Sequence, residues 1–498
     1  MAFNNEKYLR EQTDAIVERV SLFEGKLYLE FGGKLMYDLH AARVLPGYDP
    51  NVKISLLREL RDRAEIILCI YAGDIEKRKL RGDFGITYDV DALKLIDQLR
   101  QQELKVSGVV ITRFEEQPAA VTFSNRLERR GVNVYHHYYT KGYPTDIDLI
   151  VSEEGYGRND YVDTSKPLVV VTGPGPGSGK LATCLSQLYH DHHNGIRSGY
   201  AKFETFPIWN LPLEHPVNAA YEAATADLGD VNQVDPFHLE VYGEVAINYN
   251  RDVEAFPLLR RILRRIMGEE VPYASPTDMG VNRAGFGITD DEVVAEAAKQ
   301  EMVRRYFRYR CEYVMGLAET STVEKAQLLL SKYELTPEYR QVVTPARDVS
   351  ERATTDGEQE VCCGAAMMLP DGAIVTGKSS SLMHASAAVV INAIKALAGI
   401  PHKIHLLTPQ TIESIRSLKS SMGLRRTALN LDEALIALGI SATTSPATRQ
   451  ALEELSSLRG CEAHLTHMPP QGDETGFRNL GVNLTTDPVF ASEELHPG

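Results

Sequence analysis

The chain has 498 residues, of which 43% are hydrophobic and 24% charged, a composition typical of a globular protein of two to four domains. Its formal net charge of −15 argues against sequence-independent nucleic-acid binding, which needs a basic surface. No apolar run reaches the roughly 18 residues that span a bilayer, and the N-terminus has no signal-peptide core, so we expect a cytoplasmic protein with no membrane or nucleic-acid partner. Six cysteines without paired spacing, apart from the adjacent Cys362 and Cys363, fit a reducing compartment.

Residues 1–250 alternate short apolar segments with longer amphipathic ones. The predicted strands are LYLEF (27–31), IILCIYA (66–72), VSGVVIT (106–112), VNVYHH (132–137), DLIVS (148–152), LVVVT (168–172) and GYAKFE (199–204). Helical patterns such as ISLLRELRDRAE, DVDALKLIDQLRQQE and AAVTFSNRLERRG lie between them. This alternation predicts an α/β domain with a parallel, doubly wound sheet, whose ligands bind beyond the carboxyl ends of the strands.

The segment LVVVTGPGPGSGK (168–180) has the form of a phosphate-binding loop between a strand and a helix. Its glycines allow backbone N–H groups to turn toward an anion, the helix N-terminus adds a partial positive charge, and the lysine adds a full one. The candidate cofactor-binding residues are Gly173, Gly175, Gly177, Ser178, Gly179 and Lys180. The alternative is a glycine-rich turn of the kind found in any doubly wound sheet, but the Gly-Lys ending favours the phosphate loop.

The loop differs from the commonest phosphate-loop pattern, which has four residues before its Gly-Lys pair and then Ser or Thr. Here five residues intervene, and Leu181 follows the lysine. In this it resembles the loops of CTP synthetase and dethiobiotin synthetase, which bind ATP and make an amide or amine bond. The strand GYAKFETFPIWN places Lys202 and Glu204 where those families carry a lysine or a metal-binding carboxylate. The resemblance implies ATP and magnesium as cofactors, with Lys180, Lys202 and Glu204 in the catalytic site.

The segment 205–250 is irregular for a stretch inside a domain, and such stretches often form binding loops. Asp235 and His238 are three residues apart, so one helical turn would place both on one side, with His238 able to act as a base near neutral pH. We predict that the segment completes the catalytic site, with Glu204 or Asp235 holding magnesium. The alternative is that Asp235 caps a helix and His238 packs against it.

Residues 251–338 contain long, charged, amphipathic patterns, including RDVEAFPLLRRILRRIMG and STVEKAQLLLSKYEL. They predict a helical subdomain, through which we expect the chain to form a homo-oligomer. We assign no chemistry to their arginines and tyrosines.

Residues 339–498 predict a third unit, beginning with strand, Pro-Asp-Gly turn, strand and a helix of small residues. The order resembles the cytidine-deaminase-like fold, in which the helix opens with a zinc ligand, Ala and a catalytic Glu. Here His384 and Ala385 are followed by Ser386, and no Pro-Cys-x-x-Cys follows, so deaminase chemistry is not implied. Cys362, Cys363 and His384 are candidates for a metal site, although a buried thiol pair is the commoner arrangement.

Over nearly its whole length the chain is similar to an uncharacterised bacterial family defined as a domain of unknown function. The markers are GGKLMYDLHAARVLPG, DFGITYD, EGYGRNDY, VVVTGPGPGSGK, YAKFETFPIWNLP and SPTDMGVN. This resemblance implies no activity. From the residues, the leading hypothesis is an ATP-dependent ligase or phosphotransferase acting on a small-molecule or phosphorylated substrate. The alternative is a non-catalytic, nucleotide-binding regulator or scaffold, and a Rossmann-type redox enzyme is disfavoured because the G-x-G-x-x-G spacing is not met.

Overall fold

The computed structural model describes residues 2–81, 85–268, 271–355 and 362–492. The chain forms two compact units, one of Met1–Thr225 with Gly229–Ala298, and one of Ala226–Leu228 with Lys299–Gly498. Two predicted patterns begin outside the described residues: the DF of DFGITYD, and the EV that opens the C-terminal strand pattern.

The first unit is built on a parallel sheet of six strands. The strands of this unit are β1 (Leu27–Phe31), β2 (Ala64–Tyr71), β3 (Leu80–Arg81), β4 (Ile86–Thr87), β5 (Val106–Thr112), β6 (Val134–His137), β7 (Leu168–Thr172), β8 (Gly199–Phe203), β9 (Asn232–Val234) and β10 (Ile247–Tyr249). The large sheet has the order β6-β5-β2-β7-β1-β8, with every neighbouring pair parallel. Two antiparallel pairs, β3 with β4 and β9 with β10, lie outside it.

Helices cover both faces of this sheet, which confirms the predicted doubly wound α/β architecture. The helices of the unit are α1 (Asn5–Ser21), α2 (Leu39–Val44), α3 (Val52–Glu59), α4 (Ala72–Glu76), α5 (Tyr88–Gln101), α6 (Pro118–Glu128), α7 (Ile147–Ile150), α8 (Lys180–His193), α9 (Pro216–Ala224), α10 (Pro236–Tyr242), α11 (Asn250–Met267) and α12 (Pro276–Met279). On one face, Leu29 and Ile111 pack with α1, α3, α5 and α6. On the other face, Tyr28 and Val171 pack with α8 and α11. Adjacent residues of a strand point to opposite faces, so strands with two buried faces are apolar throughout.

One predicted strand is wrong. DLIVS (148–152) does not join the sheet, because Ile147–Ile150 forms the short helix α7. The Asp146 side chain accepts a hydrogen bond from the Leu149 N–H at 3.0 Å and so caps this turn. An N-cap acid before a short apolar run therefore overrides the strand propensity of the run.

The segment 173–180 follows β7. At this strand the direction in which the chain adds further strands to the sheet changes from one side to the other. From β2 the chain continues to β5 on one side, whereas from β7 it continues to β8 on the other. The connections after these neighbouring strands therefore leave in opposite directions, which opens a crevice beyond their carboxyl ends. Residues 173–180 lie at this crevice.

The second unit contains a mixed sheet of four strands. Its strands are β11 (Gly364–Met368), β12 (Ile374–Lys378), β13 (Glu462–Leu465) and β14 (Asn483–Thr486). The order is β12-β11-β13-β14, in which β11 is antiparallel to both neighbours and β13 is parallel to β14. The predicted hairpin around the Pro-Asp-Gly turn is thus confirmed. The deaminase-like fold stays a prediction.

The second unit's sheet packs with helices from the C-terminal half of the chain. These are α14 (Thr320–Lys332), α15 (Val343–Thr355), α16 (Ala385–Leu397), α17 (Pro409–Ser421), α18 (Leu431–Ser441), α19 (Pro446–Glu453) and α20 (Gln471–Leu480). They follow α13 (Asp291–Val314), within which the boundary between the units falls. The segment 251–338, predicted as a helical subdomain, is therefore divided between the units. In the part of the chain that the structure describes, no helix has the length and apolar character needed to span a bilayer.

Candidate functional site

The loop between β7 and α8 requires glycine at defined positions. Gly177 and Gly179 have φ values of +72° and +90°, in the left-handed region. Gly179 is also the N-cap of α8, and a Cβ at this position would lie 2.7 Å from the Thr112 side chain. A larger residue at Gly179 would therefore have to displace the end of β5 as well as adopt a strained backbone.

The carbonyl groups of the loop are held from one side. Thr112 Oγ1 donates a hydrogen bond to the Ser178 carbonyl at 2.9 Å, and the Arg113 guanidinium donates to the Gly177 carbonyl. In a planar trans peptide the following N–H points opposite to the carbonyl. The N–H groups of Ser178 and Gly179 therefore point away from the end of β5.

Five N–H groups of the loop have no protein partner within the described ranges: those of Gly175, Gly177, Ser178, Gly179 and Lys180. The Ser178 side chain is buried, and its Oγ also has no hydrogen-bond partner among the described residues. Of these residues only Ser178 is buried, so the other N–H groups are open to solvent or to a ligand, as the first N–H groups of a helix usually are. Together with the start of α8 they form a concave, partially positive surface that suits a phosphate group.

Lys180 lies over the loop that precedes it, with Nζ 3.4 Å from the Gly175 carbonyl oxygen. Its charge also acts on Cys69 in β2, whose pKa burial raises to about 12, while Lys180 lowers it and Glu30 raises it. In α8, burial raises the pKa of Cys184; Glu30 raises this pKa further, and Lys180 lowers it. Glu30, near the carboxyl end of β1, accepts a hydrogen bond from the Tyr200 hydroxyl at 2.7 Å on the face of the sheet that α8 covers.

A shallow cleft, open to solvent, borders the first residues of the loop. Its walls are residues 34–37, the α5 face that includes Lys94 and Gln98, and residues 172–174. Gln98 Nε2 lies 3.4 Å from Tyr37 Oη, which ties the two walls together. The aromatic and basic wall of the cleft suits the part of a ligand that extends beyond its phosphates.

A second cavity, which is shallow and open to solvent, lies beyond the end of β8, and we call it the Glu204 pocket. It is lined by Lys202, Glu204, Pro207, Trp209, Ile247, Asn248, Asp252, Pro276, Thr277, Gly280 and Asn282. The structure thus brings the predicted residues Lys202 and Glu204 together with the segment 205–250. One strand, β1, separates β8 from β7, so this pocket and the loop lie about 10 Å apart along the same edge of the sheet.

Lys202 is the centre of a buried ionic cluster in this pocket. Its Nζ lies 2.5 Å from Asp252 Oδ2 and 3.3 Å from Glu204 Oε1, and it donates to the Tyr249 hydroxyl. Tyr249 Oη in turn donates to Glu204 Oε1 at 3.1 Å. Burial by itself would lower the pKa of Lys202, but the neighbouring carboxylates of Asp252, Glu204 and Glu30 raise it above its ordinary value.

Glu204 has a pKa raised to about 7, first because it is buried. Lys202 lowers this pKa, whereas the nearby charges of Asp252 and Glu30 raise it. A carboxylic acid that titrates near neutral pH can take up and release a proton under cellular conditions. Glu204 is therefore the group in this pocket best suited to acid–base chemistry.

Asp235 and His238 lie next to the Glu204 pocket but have structural partners. Asp235 Oδ1 accepts from the Phe237 and His238 N–H groups at 3.0 and 3.1 Å, which caps α10. Asp235 Oδ2 accepts from both the N–H and the hydroxyl of Thr277. His238 Nδ1 lies 3.1 Å from Ser275 Oγ. These contacts match the cap alternative and occupy both oxygens that a magnesium ion would need.

The sequence patterns missed three residues of these sites: Glu30, Tyr249 and Asp252. The signal for Glu30 was an acid interrupting the apolar strand LYLEF at its carboxyl end, directly beside β7. Asp252 stands in the first turn of α11, in a helix to which we assigned no chemistry. Within the described ranges, no group of three or more His, Cys, Asp and Glu residues is arranged to hold a metal ion.

In the second unit, the candidate metal ligands have protein partners. His384 caps the start of α16, and its Nδ1 lies 2.7 Å from Asp473 Oδ2. Asp473 Oδ1 accepts from the Leu431 N–H at 2.7 Å. Cys362 is buried, and its thiol lies near Ser379 Oγ and the Cys363 carbonyl.

Family models match both parts of the chain. The N-terminal model of the domain of unknown function DUF1846 matches residues 1–334, and the C-terminal model matches residues 338–496. The chain belongs to the DUF1846 family. This membership confirms the predicted match to a family of unknown function. The family description carries no activity that could be transferred.

Curated relatives match over the full length. A UPF0371 protein of Clostridium botulinum (strain Langeland) is 56% identical over 501 residues, which cover 100% of this chain and 99% of the relative. A UPF0371 protein of Clostridium tetani is 55% identical over 498 residues, with the same coverage. The DUF1846 fold of this chain therefore extends to these relatives, and the loop and the Glu204 pocket can be compared in them residue by residue.

Proposed function

We propose that the loop of residues 173–180 binds ATP or another phosphorylated ligand, and that the chain is an ATP-dependent ligase or phosphotransferase acting on a small metabolite. The observation that carries this proposal is the set of five N–H groups, from Gly175 to Lys180, without protein partners in the described part of the chain. Donors held in place before the ligand arrives bind phosphate without further reorganisation. The cleft beside Gly173 would accommodate the rest of the nucleotide.

The residues present fit a triphosphate better than they fit a magnesium ion. Lys180 and the loop N–H groups would hold the β- and γ-phosphates and offset the charge that develops during transfer. No hydroxyl follows the lysine, since Leu181 occupies that position. Magnesium would supply further charge neutralisation when bound, but the described residues offer it no group of three His, Cys, Asp or Glu ligands, and Lys202 and Tyr249 already engage Glu204 Oε1.

The alternative proposal is a nucleotide-binding regulator without turnover. It is favoured by Leu181 after the loop lysine and by the lack of a three-ligand metal group among the described residues. Steady release of phosphate or ADP from ATP, above that of a Lys180→Ala variant, would support the enzyme. Nucleotide binding at full stoichiometry with no release would support the regulator.

Replacing Lys180 tests the phosphate site directly. We expect Lys180→Ala to weaken ATP binding tenfold or more in isothermal titration calorimetry, because the variant loses the only full positive charge within the loop. Lys7→Ala, which removes the same charge from the exposed face of α1, is the matched control and should bind like the unaltered chain. Equal affinities for the two variants would remove the loop from consideration as a phosphate site.

A further inference from the structure

The Glu204 pocket contains polar atoms that the folded chain leaves unpaired. Lys202 contacts one oxygen of Glu204 and one of Asp252, and Tyr249 donates to the same Glu204 oxygen, Oε1. The other oxygens, Glu204 Oε2 and Asp252 Oδ1, accept no hydrogen bond from any described residue. Two acceptors therefore remain at the pocket wall.

Two amide side chains add donors to the same wall. Asn248 is 9% exposed, its Oδ1 accepts from the Tyr249 N–H at 2.9 Å, and its Nδ2 has no partner among the described residues. Asn282 Oδ1 accepts from the Glu204 N–H at 2.6 Å, which leaves its Nδ2 equally without a partner in that part of the chain. Asn282 is partly buried, and neither Nδ2 is sealed from solvent, so both amide donors are open to a ligand at the pocket wall.

The remaining walls are apolar and rigid. The Trp209 indole N–H donates to the Asn282 carbonyl at 2.9 Å, which fixes the ring beside the polar groups. Pro207 and Ile247 complete this side of the pocket. A ligand that fits is small, carries hydrogen-bond donors and positive charge toward the two acids, and has an acceptor for the two amides.

We propose that the Glu204 pocket binds a small molecule with a primary amino group, and that this amine is the second substrate of the nucleotide-dependent reaction. The ammonium would donate to Glu204 Oε2 and Asp252 Oδ1, while a carbonyl or carboxylate of the same molecule would accept from Asn248 and Asn282. Ammonium is preferred over a second anion because the cluster has three acids, including Glu30, and one lysine. The role as second substrate rests on the proposed function, whereas the binding of the amine does not.

Glu204 can also prepare such an amine for reaction. The ionised carboxylate would take one proton from the ammonium, which leaves a neutral amine with its lone pair free and a carboxylic acid on Glu204. The charged and titratable groups that face Glu204 are Lys202 from β8, Asp252 from α11, Glu30 from β1, Tyr249 from β10 and Tyr221 from α9.

The test is calorimetric titration of the full chain, without nucleotide, with amino acids, amino-acid amides and aliphatic diamines, each paired with its N-acetyl derivative. We expect at least one amine to bind with 1:1 stoichiometry and its N-acetyl derivative to bind at least tenfold more weakly. Failure of every amine in the panel, or equal binding of amine and N-acetyl derivative, would overturn the proposal. So would binding of a divalent cation alone that blocks the amine.

Single substitutions test the Glu204 pocket independently of the loop of residues 173–180. Glu204→Gln and Asn248→Ala should each weaken the amine at least tenfold, whereas Glu18→Gln, an equal charge change on the exposed surface of α1, should not. Asn248→Ala leaves the ionic cluster intact, so it keeps the test decisive if Glu204→Gln does not fold. Lys180→Ala should retain amine binding. Amine binding without ATP binding would uphold the pocket and overturn the substrate role, whereas ATP binding with no amine binding would overturn the pocket and leave the proposed function standing.

Discussion

At the scale of single residues, position along the sheet edge decides what each charged side chain can do. Lys202 and Glu204 are two residues apart at the end of β8, and Glu30 pairs in register with Lys202 across from β1. Alternate residues of a strand share a face, so these three charges are confined to one buried cluster. Asp235 has the same chemistry as Glu204, yet its oxygens are filled by the N-terminus of α10 and Thr277.

The raised pKa of Glu204 makes the free energy of unfolding depend on pH. Between the ordinary pKa of a glutamate and about 7, the folded chain binds a proton at Glu204 that the unfolded chain has released. Stability from this group is therefore present at low pH and is lost as pH rises toward 7. We subtract the free energy of unfolding of Glu204→Gln from that of the unaltered chain. This difference should fall between pH 5 and pH 8, by at most about 3 kcal/mol.

Urea denaturation of both chains across this pH range measures the effect. The comparison cancels the titration of the histidines and of the other acids, because both chains share them. A difference that stays constant from pH 5 to pH 8 would show that Glu204 is ionised throughout and would remove its role as an acid or base.

At the scale of elements, the loop of residues 173–180 depends on two glycines in different surroundings. Gly177 has a left-handed backbone but open space around it, so Gly177→Ala should cost about 1 kcal/mol from backbone strain alone. Gly179→Ala adds a clash with Thr112, and should cost at least about 1 kcal/mol more. It should also weaken ATP binding, because the start of α8 and the end of β5 must move apart.

Chemical denaturation and nucleotide titration of the two alanine variants provide the measurement. The pair is matched, since each variant adds one methyl group to a left-handed glycine of the same loop. Equal loss of stability in both variants would mean that the loop can move away from β5 without cost, and would argue against a preformed phosphate site.

Most elements around the sites could be predicted from sequence, but their neighbours could not. Apolar runs predicted six strands, and the glycine pattern predicted the loop and the start of α8. Nothing in local patterning shows that β7 inserts between β1 and β2, which places Glu30 beside the loop. Asp252 and Asn248 were equally hidden, because their approach to Lys202 depends on how α11 and β10 pack rather than on spacing. The oligomer and the cofactors stay predictions.

At the scale of the whole molecule, the compact units and the family models divide the chain at different places. The family models divide it between residues 334 and 338, whereas the compact units divide it after Ala298, inside α13. The second half of α13 belongs to the core of the second unit. Phe307 lies 5.0 Å from the His464 ring, and Cys311 Sγ lies 3.1 Å from Thr486 Oγ1.

We therefore expect a fragment of residues 289–498 to be more stable than one of residues 338–498. The shorter fragment loses buried contacts of Phe307 with the sheet, for which roughly 3 kcal/mol or more is expected. Urea denaturation of the two purified fragments, followed by circular dichroism, gives the comparison. Equal midpoints would mean that the boundary of the family models is also the boundary of independent folding.

The late insertion of β7 also constrains how the chain is made. β2 leaves the ribosome about 100 residues before β7, and β1 about 140 residues before it. In the described sheet, β1 pairs only with β7 and with the still later β8. During synthesis, both edges of β1 therefore stay without a strand partner until about 140 further residues have emerged. A ribosome that stalls before residue 168 holds a chain whose sheet cannot close. The strand that carries the glycine loop covers one edge of β1, and the other edge stays exposed to aggregation until β8 has emerged.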